Sequence, residues 1–381
     1  MIKIDTCMIV KNEADKIKSL IDQLVQFSHK VYITDTGSTD GTIELIEEYS
    51  KKDPKVVLSH FEWIFDFAAA RNYSFQQSTD GDYLFWIDAD DIINEPLMES
   101  LKKLAGLDAE LLDKLPTIIC MKYKYFQDND HKFNLNRLVK RSYNPTWYGE
   151  IHETLSIVNE IPVTDFFPDD AYIIHNHPND KNTSTRNLEI FRKIEQNGKL
   201  LGCRKMFYYG CELCNHKYFV LAYLVFAECA KYRENDNTIY WVDQVNSLNR
   251  MKFIKSYCKF AFTDDILDVA LRLYDSGIRR GDLECLIGDE YYERGDYKTA
   301  IGYYKEAYEM GPPPSYDNFL YMDHYHGLYP MIQLTCCYYH MDDMPNALMY
   351  HEICKQFAPT NSSVINNEDF FSKYKKEHKY L

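Results

Sequence analysis

The chain has 381 residues, is 45% hydrophobic and carries a formal net charge of −15. That is apolar material for two or three domains, and the acidity excludes the basic stripe a nucleic-acid groove needs. No apolar run reaches the roughly 18 residues of a membrane span, the N-terminus is too polar for a signal peptide, and the cysteines show no disulfide framework, so a reducing, cytoplasmic setting is expected.

Ile4 to Val10 reads as a first strand, followed by the loop Lys11-Asn12-Glu13. Ala14 to Phe27 then places Ile17, Leu20, Ile21, Leu24 and Val25 on one helical face. A second strand, Val31 to Ile33, runs into Asp35-Thr36-Gly37-Ser38-Thr39-Asp40-Gly41-Thr42, where two glycines permit a tight turn and Thr39 or Asp40 caps a helix over Ile43–Tyr49. Val56 to Leu58 is a short third strand, and Phe65 to Asn72 opens another helix. Such strand–helix alternation predicts a mainly parallel sheet covered on both faces.

Tyr83 to Ile87 is a continuous apolar run that ends in Asp88-Ala89-Asp90-Asp91. A strand buried on both faces reads this way, and open α/β sheets place ligands at the C-terminal ends of their strands. On an extended backbone Asp88 and Asp90 point the same way, and two acids aimed at one point call for a cation between them. Hard oxygen ligands suit Mg²⁺ or Mn²⁺, which in turn suit a diphosphate. A solvated acidic turn is the plainer alternative. Cys211-x-x-Cys214 with His216 has a zinc-like look, but no second pair stands at finger spacing and the segment reads as helix.

Four segments in this order resemble the inverting family-2 glycosyltransferases of the nucleotide-sugar-binding GT-A fold: Ile9–Glu13, Asp35–Thr42, Asp66–Asn72 and Ile87–Asp91. Thr36 stands where many members of that family have a second acid. Thr117–Phe126 and Asn136–Arg141 read as two further strands. Trp147-Tyr148-Gly149-Glu150-Ile151-His152-Glu153 then resembles the aromatic-x-Gly-x-Val/Ile-His-Glu motif of a sub-branch that modifies peptide side chains, and Ile173 to Pro178 with Arg186-Asn187 is similar to its closing segment.

The resemblance implies an α/β GT-A domain that transfers a sugar from a UDP-sugar donor to a peptide or protein acceptor, with Mn²⁺ or Mg²⁺ as cofactor. By the same resemblance, Val10, Asn12, Glu13, Asp35, Arg71, Asp88, Ala89 and His152 line the nucleotide-sugar. Asp35 would accept from the uracil N–H, Glu13 would meet a ribose hydroxyl, and Arg71 would bind diphosphate or pair with a sheet-end acid. Asp90 and His175 would hold the metal, with His177 as the fallback. Glu153 is the expected base, with Glu150 or Asp91 behind it. The polar stretch from Asn176 to Thr185 would close over bound donor as a lid. Two other classes stay open, a transferase acting on lipid-linked or polymeric glycan and a non-catalytic repeat adaptor.

Beyond about Asn187 the composition turns to Tyr, Ala, Glu and Lys at helical spacing. In a repeat of about 34 residues begun at Gly281, positions 8, 11, 20, 24, 27 and 32 are Gly288, Tyr291, Ala300, Tyr304, Ala307 and Pro312, which is the tetratricopeptide pattern. Registers begun at Leu328 and Cys203 match in part, the latter with Gly210, Ala222 and Phe226 at positions 8, 20 and 24. The expected division is residues 1–185 for the GT-A domain and 186–381 for an all-α repeat domain, whose surface is compatible with a homodimer.

Overall fold

In a computed structural model, described over residues 1–125, 132–157, 160–176, 185–199, 201–233, 241–258, 265–311 and 323–378, the sheet grows outward from β1 (Ile4–Val10). Strand β1 pairs in parallel with β2 (Lys30–Asp35) on one side and with β4 (Tyr83–Trp86) on the other, and β3 (Val56–His60) extends the parallel set beyond β2. Past β4 the sheet becomes mixed. It continues through β7 (Phe133–Lys140), β6 (Ile118–Tyr125), β10 (Tyr172–His175) and β5 (Asp91–Ile93), in the order β3-β2-β1-β4-β7-β6-β10-β5. A separate two-stranded ribbon pairs β8 (Thr146–Tyr148) with β9 (Thr154–Ser156). The α/β class is as the sequence predicts; the sheet is parallel through β3-β2-β1-β4 and antiparallel where β4 meets β7, β7 meets β6 and β10 meets β5.

Alternate residues of each central strand feed two cores, as the period of two requires. Ile4, Met8 and Val10 join Tyr83 and Phe85 against helix α1 (Ala14–Leu24), which presents Ile17, Leu20, Ile21 and Leu24. On the opposite face Cys7, Leu84 and Trp86 pack with Ala68 and Phe75 of α3 (Phe67–Gln76) and with Trp147. Between these helices in the chain, α2 (Thr42–Lys52) leads to β3, and α4 (Glu95–Gly106) follows β5. Asp66 caps α3 by accepting from Ala69 N–H at 2.9 Å, so that helix begins two residues later than the sequence pattern indicates. Asn94 caps α4 in the same way, with Pro96 in the first turn. The last helix of this part is α5 (Arg186–Gln196).

The chain divides into two compact units, Met1–Leu200 and Leu201–Leu381. Helix α5 thus belongs to the sheet unit. The second unit, among the described residues, is a succession of helices α6 (Cys203–Asn215), α7 (Phe219–Lys231), α8 (Trp241–Cys258), α9 (Ile266–Asp275), α10 (Gly281–Glu293), α11 (Tyr297–Met310), α12 (Leu328–His340), α13 (Met344–Phe357) and α14 (Ser362–His378). The small residue at position 8 of a repeat meets the aromatic at position 24. A Cβ on Gly288 would lie 2.8 Å from the Tyr304 ring, and one on Gly210 would lie 2.5 Å from the Phe226 ring. Close approach of two helices in a hairpin therefore rests on those glycines. Cys211 and Cys214 lie on α6, and no metal-ligand cluster includes them among the described residues.

Candidate active site

The loops at the C-terminal ends of the parallel strands are tied to one another before any ligand is considered. Asp35, at the end of β2, accepts from the N–H groups of Gly37 and Ser38 at 2.8 and 3.1 Å, so it shapes its own turn. Gly37 and Gly41 in that turn have φ of 101° and 95°, where a side chain would strain the backbone. Asn12 Oδ1 accepts from Thr39 N–H at 2.8 Å, and Asn12 N–H donates to Ser38 Oγ at 2.9 Å. Glu13 N–H donates to Thr42 Oγ1 at 3.0 Å, while its carboxylate lies 3.4 Å from Lys16 Nζ. Thr36 donates its hydroxyl to the Val10 carbonyl at 3.0 Å, which gives the residue in place of the expected acid a structural use.

The acids after β4 do not continue the strand. Strand β4 stops at Trp86, and Asp91 N–H donates to the Asp88 carbonyl at 3.1 Å, closing a turn around Ala89 and Asp90. The extended-backbone expectation that Asp88 and Asp90 share one direction is therefore corrected, and each acid has its own neighbours. Asp88 faces two arginines. Its Oδ1 accepts from Arg71 Nη2 at 2.8 Å, and its Oδ2 lies 3.6 Å from Arg137 Nη2. Burial pushes the Asp88 carboxyl up, but the two guanidinium groups outweigh it and hold the group at about 2.

Asp91 is turned inward. It accepts from Tyr123 Oη at 2.9 Å and from Asp88 N–H at 3.2 Å, and it stands 3.0 Å from Arg137 Nη2 and 3.3 Å from His175 Nδ1. Its side chain is fully buried, so the geometry makes it an internal strut and leaves no lone pair facing an acceptor. Burial, then Asp91, push the Tyr123 phenol up, which keeps it a hydrogen-bond donor. His175, on β10, lies 3.7 Å from Asp90 Oδ1. Burial pulls the His175 imidazole down, but the carboxylates of Asp91, Asp90 and Asp88 more than offset it and raise the group.

Asp90, Asp91 and His175 each offer a ligand atom within 4.8 Å of the other two, the one such metal-capable group among the described residues. Two hard oxygens and an imidazole suit Mn²⁺ or Mg²⁺. The imidazole faces both acids through Nδ1, so a tautomer with its proton on Nε2 would turn the Nδ1 lone pair toward an ion between them. Donor types and spacing thus fit the implied cofactor. His177, and residues 177–184 of the expected lid, lie outside the described residues.

Arg71 pairs with two carboxylates. Its Nε donates to Glu153 Oε1 at 2.6 Å while Nη2 holds Asp88, and the guanidinium lies 4.9 Å from the Trp86 ring and 5.1 Å from the Trp147 ring. The turn between β8 and β9 delivers Glu153, with Gly149 at φ 96° and His152 at φ 50°. Glu150 lies on the same turn, where its carboxylate meets Lys199 Nζ at 2.7 Å and its carbonyl accepts from Phe67 N–H at 2.9 Å. One buried guanidinium therefore joins Asp88, after β4, to the glutamate of the ribbon. Sequence reasoning missed Arg137 and Tyr123. The available signal was a lone arginine inside the strand Phe133–Lys140.

The sequence profile of glycosyl transferase family 2 matches residues 5–170. The sheet unit is a family-2 glycosyltransferase domain. Over 223 residues the chain is 27% identical to glycosyltransferase SunS of Bacillus subtilis, covering 55% of this chain and 49% of that one. Over 91 residues it is 33% identical to a TPR repeat-containing protein of Synechococcus elongatus, covering 24% of this chain and 21% of that one. The chain spans about half the length of SunS and about a fifth of the repeat protein. Among solved structures, TarS of S. aureus (residues 1–349) aligns over 93% of this chain and 92% of that chain, at 14% identity and a TM-score of 0.39. No helix among the described residues is long and apolar enough to cross a membrane.

Proposed function

We propose that the chain is a metal-dependent, inverting glycosyltransferase that moves a sugar from a UDP-sugar to a peptide or protein acceptor. The observation that carries this reading is Asp90 and His175, 3.7 Å apart beside the buried Asp91, at the sheet ends of a family-2 domain. Val10, Asn12, Glu13, Asp35 and Ala89 line the donor side in this reading, and Arg71 aligns Asp88 with Glu153. Asp90 and His175 would hold Mn²⁺ or Mg²⁺, which as a Lewis acid neutralises the departing diphosphate. Glu153 takes the acceptor proton on Oε2, since Oε1 is committed to Arg71. His152, one residue before it, orients donor or acceptor.

The peptide acceptor is supported by the Trp147–Glu153 resemblance and by the repeats, whose stacking creates extended surfaces suited to a chain-like ligand. In this division of labour the sheet unit, Met1–Leu200 rather than residues 1–185, binds the donor, and the helical unit Leu201–Leu381 selects the acceptor.

The test is a UDP-sugar panel with Mn²⁺, scored for nucleotide release with and without peptide-rich extract. Release is expected with at least one sugar, with EDTA abolishing it and Asp90→Asn reducing it to background. Full activity of wild type in EDTA, or of Asp90→Asn with Mn²⁺, would remove the metal from the reading. Acceptance of lipid-linked glycan in place of peptide would move the acceptor to the other class.

A further inference from the structure

Arg137 is the bulkiest of the fully buried side chains, at 1% exposure, and it lies on β7 rather than in a loop. A buried guanidinium is strongly unfavourable unless it is paired. Its pairing is specific. Nη2 lies 3.0 Å from Asp91 Oδ2 and 3.6 Å from Asp88 Oδ2, and Nη1 donates to the Trp86 carbonyl at 3.3 Å. The rings of Trp86 and Tyr123 stand 3.7 and 4.8 Å from its central carbon. The register that pairs Phe85 with Leu138 sets Arg137 beside the end of β4, where the acids begin. Three aspartates within four residues, with Glu153 drawn in through Arg71, would repel one another unless cations stood among them.

We propose that Arg137 is the internal counter-ion of this acid cluster: it holds Asp88 and Asp91 in place when no other cation is bound, and its fixed charge weakens the cluster's hold on a divalent ion. It is a positioning residue. Tyr123 completes the arrangement by donating to Asp91 Oδ1 at 2.9 Å while Arg137 faces Oδ2. With both oxygens engaged, Asp91 cannot turn outward, and the ion is left to Asp90 and His175. A site balanced in this way stays folded when empty and releases its ion readily, which suits an ion that arrives and leaves with a diphosphate.

The clause about the ion rests on the proposed function; the counter-ion role does not. The test uses the full chain and two readouts, thermal melting and binding of Mn²⁺ alone, followed by the signal of free Mn²⁺. Arg137→Gln should melt lower than wild type without metal yet bind Mn²⁺ roughly threefold to tenfold more tightly, because a nearby positive charge has gone. Arg137→Lys keeps the charge and loses the fork, so its Mn²⁺ affinity should stay within about twofold of wild type. A residue that merely packs would lose stability and Mn²⁺ affinity together in both variants, and that result overturns the proposal.

Should wild type bind no Mn²⁺, the metal reading of the site fails and melting alone judges the counter-ion role. The pair Arg137→Gln with Asp91→Asn, which removes the charge and its partner together, should then melt above Arg137→Gln. The same comparison serves if Arg137→Gln does not fold: a paired variant that recovers cooperative melting supports the role, and one that stays unfolded or melts no higher refutes it.

Discussion

The side-chain amide of Asn72 donates to the Trp147 carbonyl at 2.9 Å and accepts from the Trp147 N–H at 2.8 Å. In effect the amide acts as a short extra strand alongside β8, fastening the helix of Arg71 to the ribbon that leads to Glu153. Asn72→Ala should cost about 1–3 kcal/mol in thermal or denaturant unfolding, the range for leaving buried backbone groups unpaired, and should slow transfer. Asn72→Asp sets a carboxylate oxygen against the Trp147 carbonyl and should be at least as harmful. An Asp variant with wild-type stability and rate would show that the pairing does not position the ribbon.

Glu153 shares Arg71 with Asp88, so its replacement separates a chemical role from a supporting one. Glutamine keeps an oxygen able to accept from Arg71 and removes the charge. Glu153→Gln should leave UDP affinity within a few-fold and lower the transfer rate by about 10²–10⁴, the span expected for a lost general base. A collapse of UDP affinity would instead make Glu153 a residue that holds Arg71. Glu150→Gln should change the rate little, since that carboxylate is engaged with the exposed Lys199.

The helical unit makes a prediction of its own. Gly288 faces the ring of Tyr304, whose hydroxyl donates to Asp289 at 2.6 Å, so the ring has little freedom to retreat. Gly288→Ala should therefore destabilise the unit by about 1–3 kcal/mol through overpacking, despite alanine's better helix propensity. Gly302, on α11 with nothing within 4 Å of an added Cβ, is the control, and Gly302→Ala should be neutral or stabilising. Differential scanning calorimetry of the pair decides it, and equal behaviour of the two variants would contradict the packing argument.

Much of this was legible in the sequence because it is local. Strand and helix order, the acids after Tyr83–Trp86 and the glycine–aromatic pairs of the repeats all lie within short windows, where periodicity and turn chemistry suffice, while His152-Glu153 stood out only through the family resemblance of Trp147–Glu153. What escaped was non-local. Arg137 reaches Asp88 and Asp91 only because β7 pairs antiparallel with β4, and nothing within either strand announces that register. The same holds for Tyr123, brought beneath the acids by β6. The extended-backbone argument for Asp88 and Asp90 failed because the chain turns at Ala89-Asp90, closed by the hydrogen bond from Asp91 N–H to Asp88 O, while Arg71 holds Asp88.

A buried glutamate far from the acids in sequence gives the chain a pH response. Glu284, on α10, is fully buried; its Oε2 accepts from Arg280 N–H at 3.1 Å and its Oε1 has no partner. Burial pushes the carboxyl up to about 7, from an ordinary 4.5. The folded state then binds more protons than the unfolded state between those values. Stability from this group is therefore fully present below about pH 4.5 and is lost as pH rises through about 7. Glu284→Gln keeps the shape and removes the charge. It should raise the melting temperature at pH 8, by at most about 3 kcal/mol of stability, and change it little near pH 5. Melting curves of both proteins across pH 5–8 test this directly: the gap should widen with pH, and a gap that stays constant or narrows would mean that Glu284 is not charged at the higher pH.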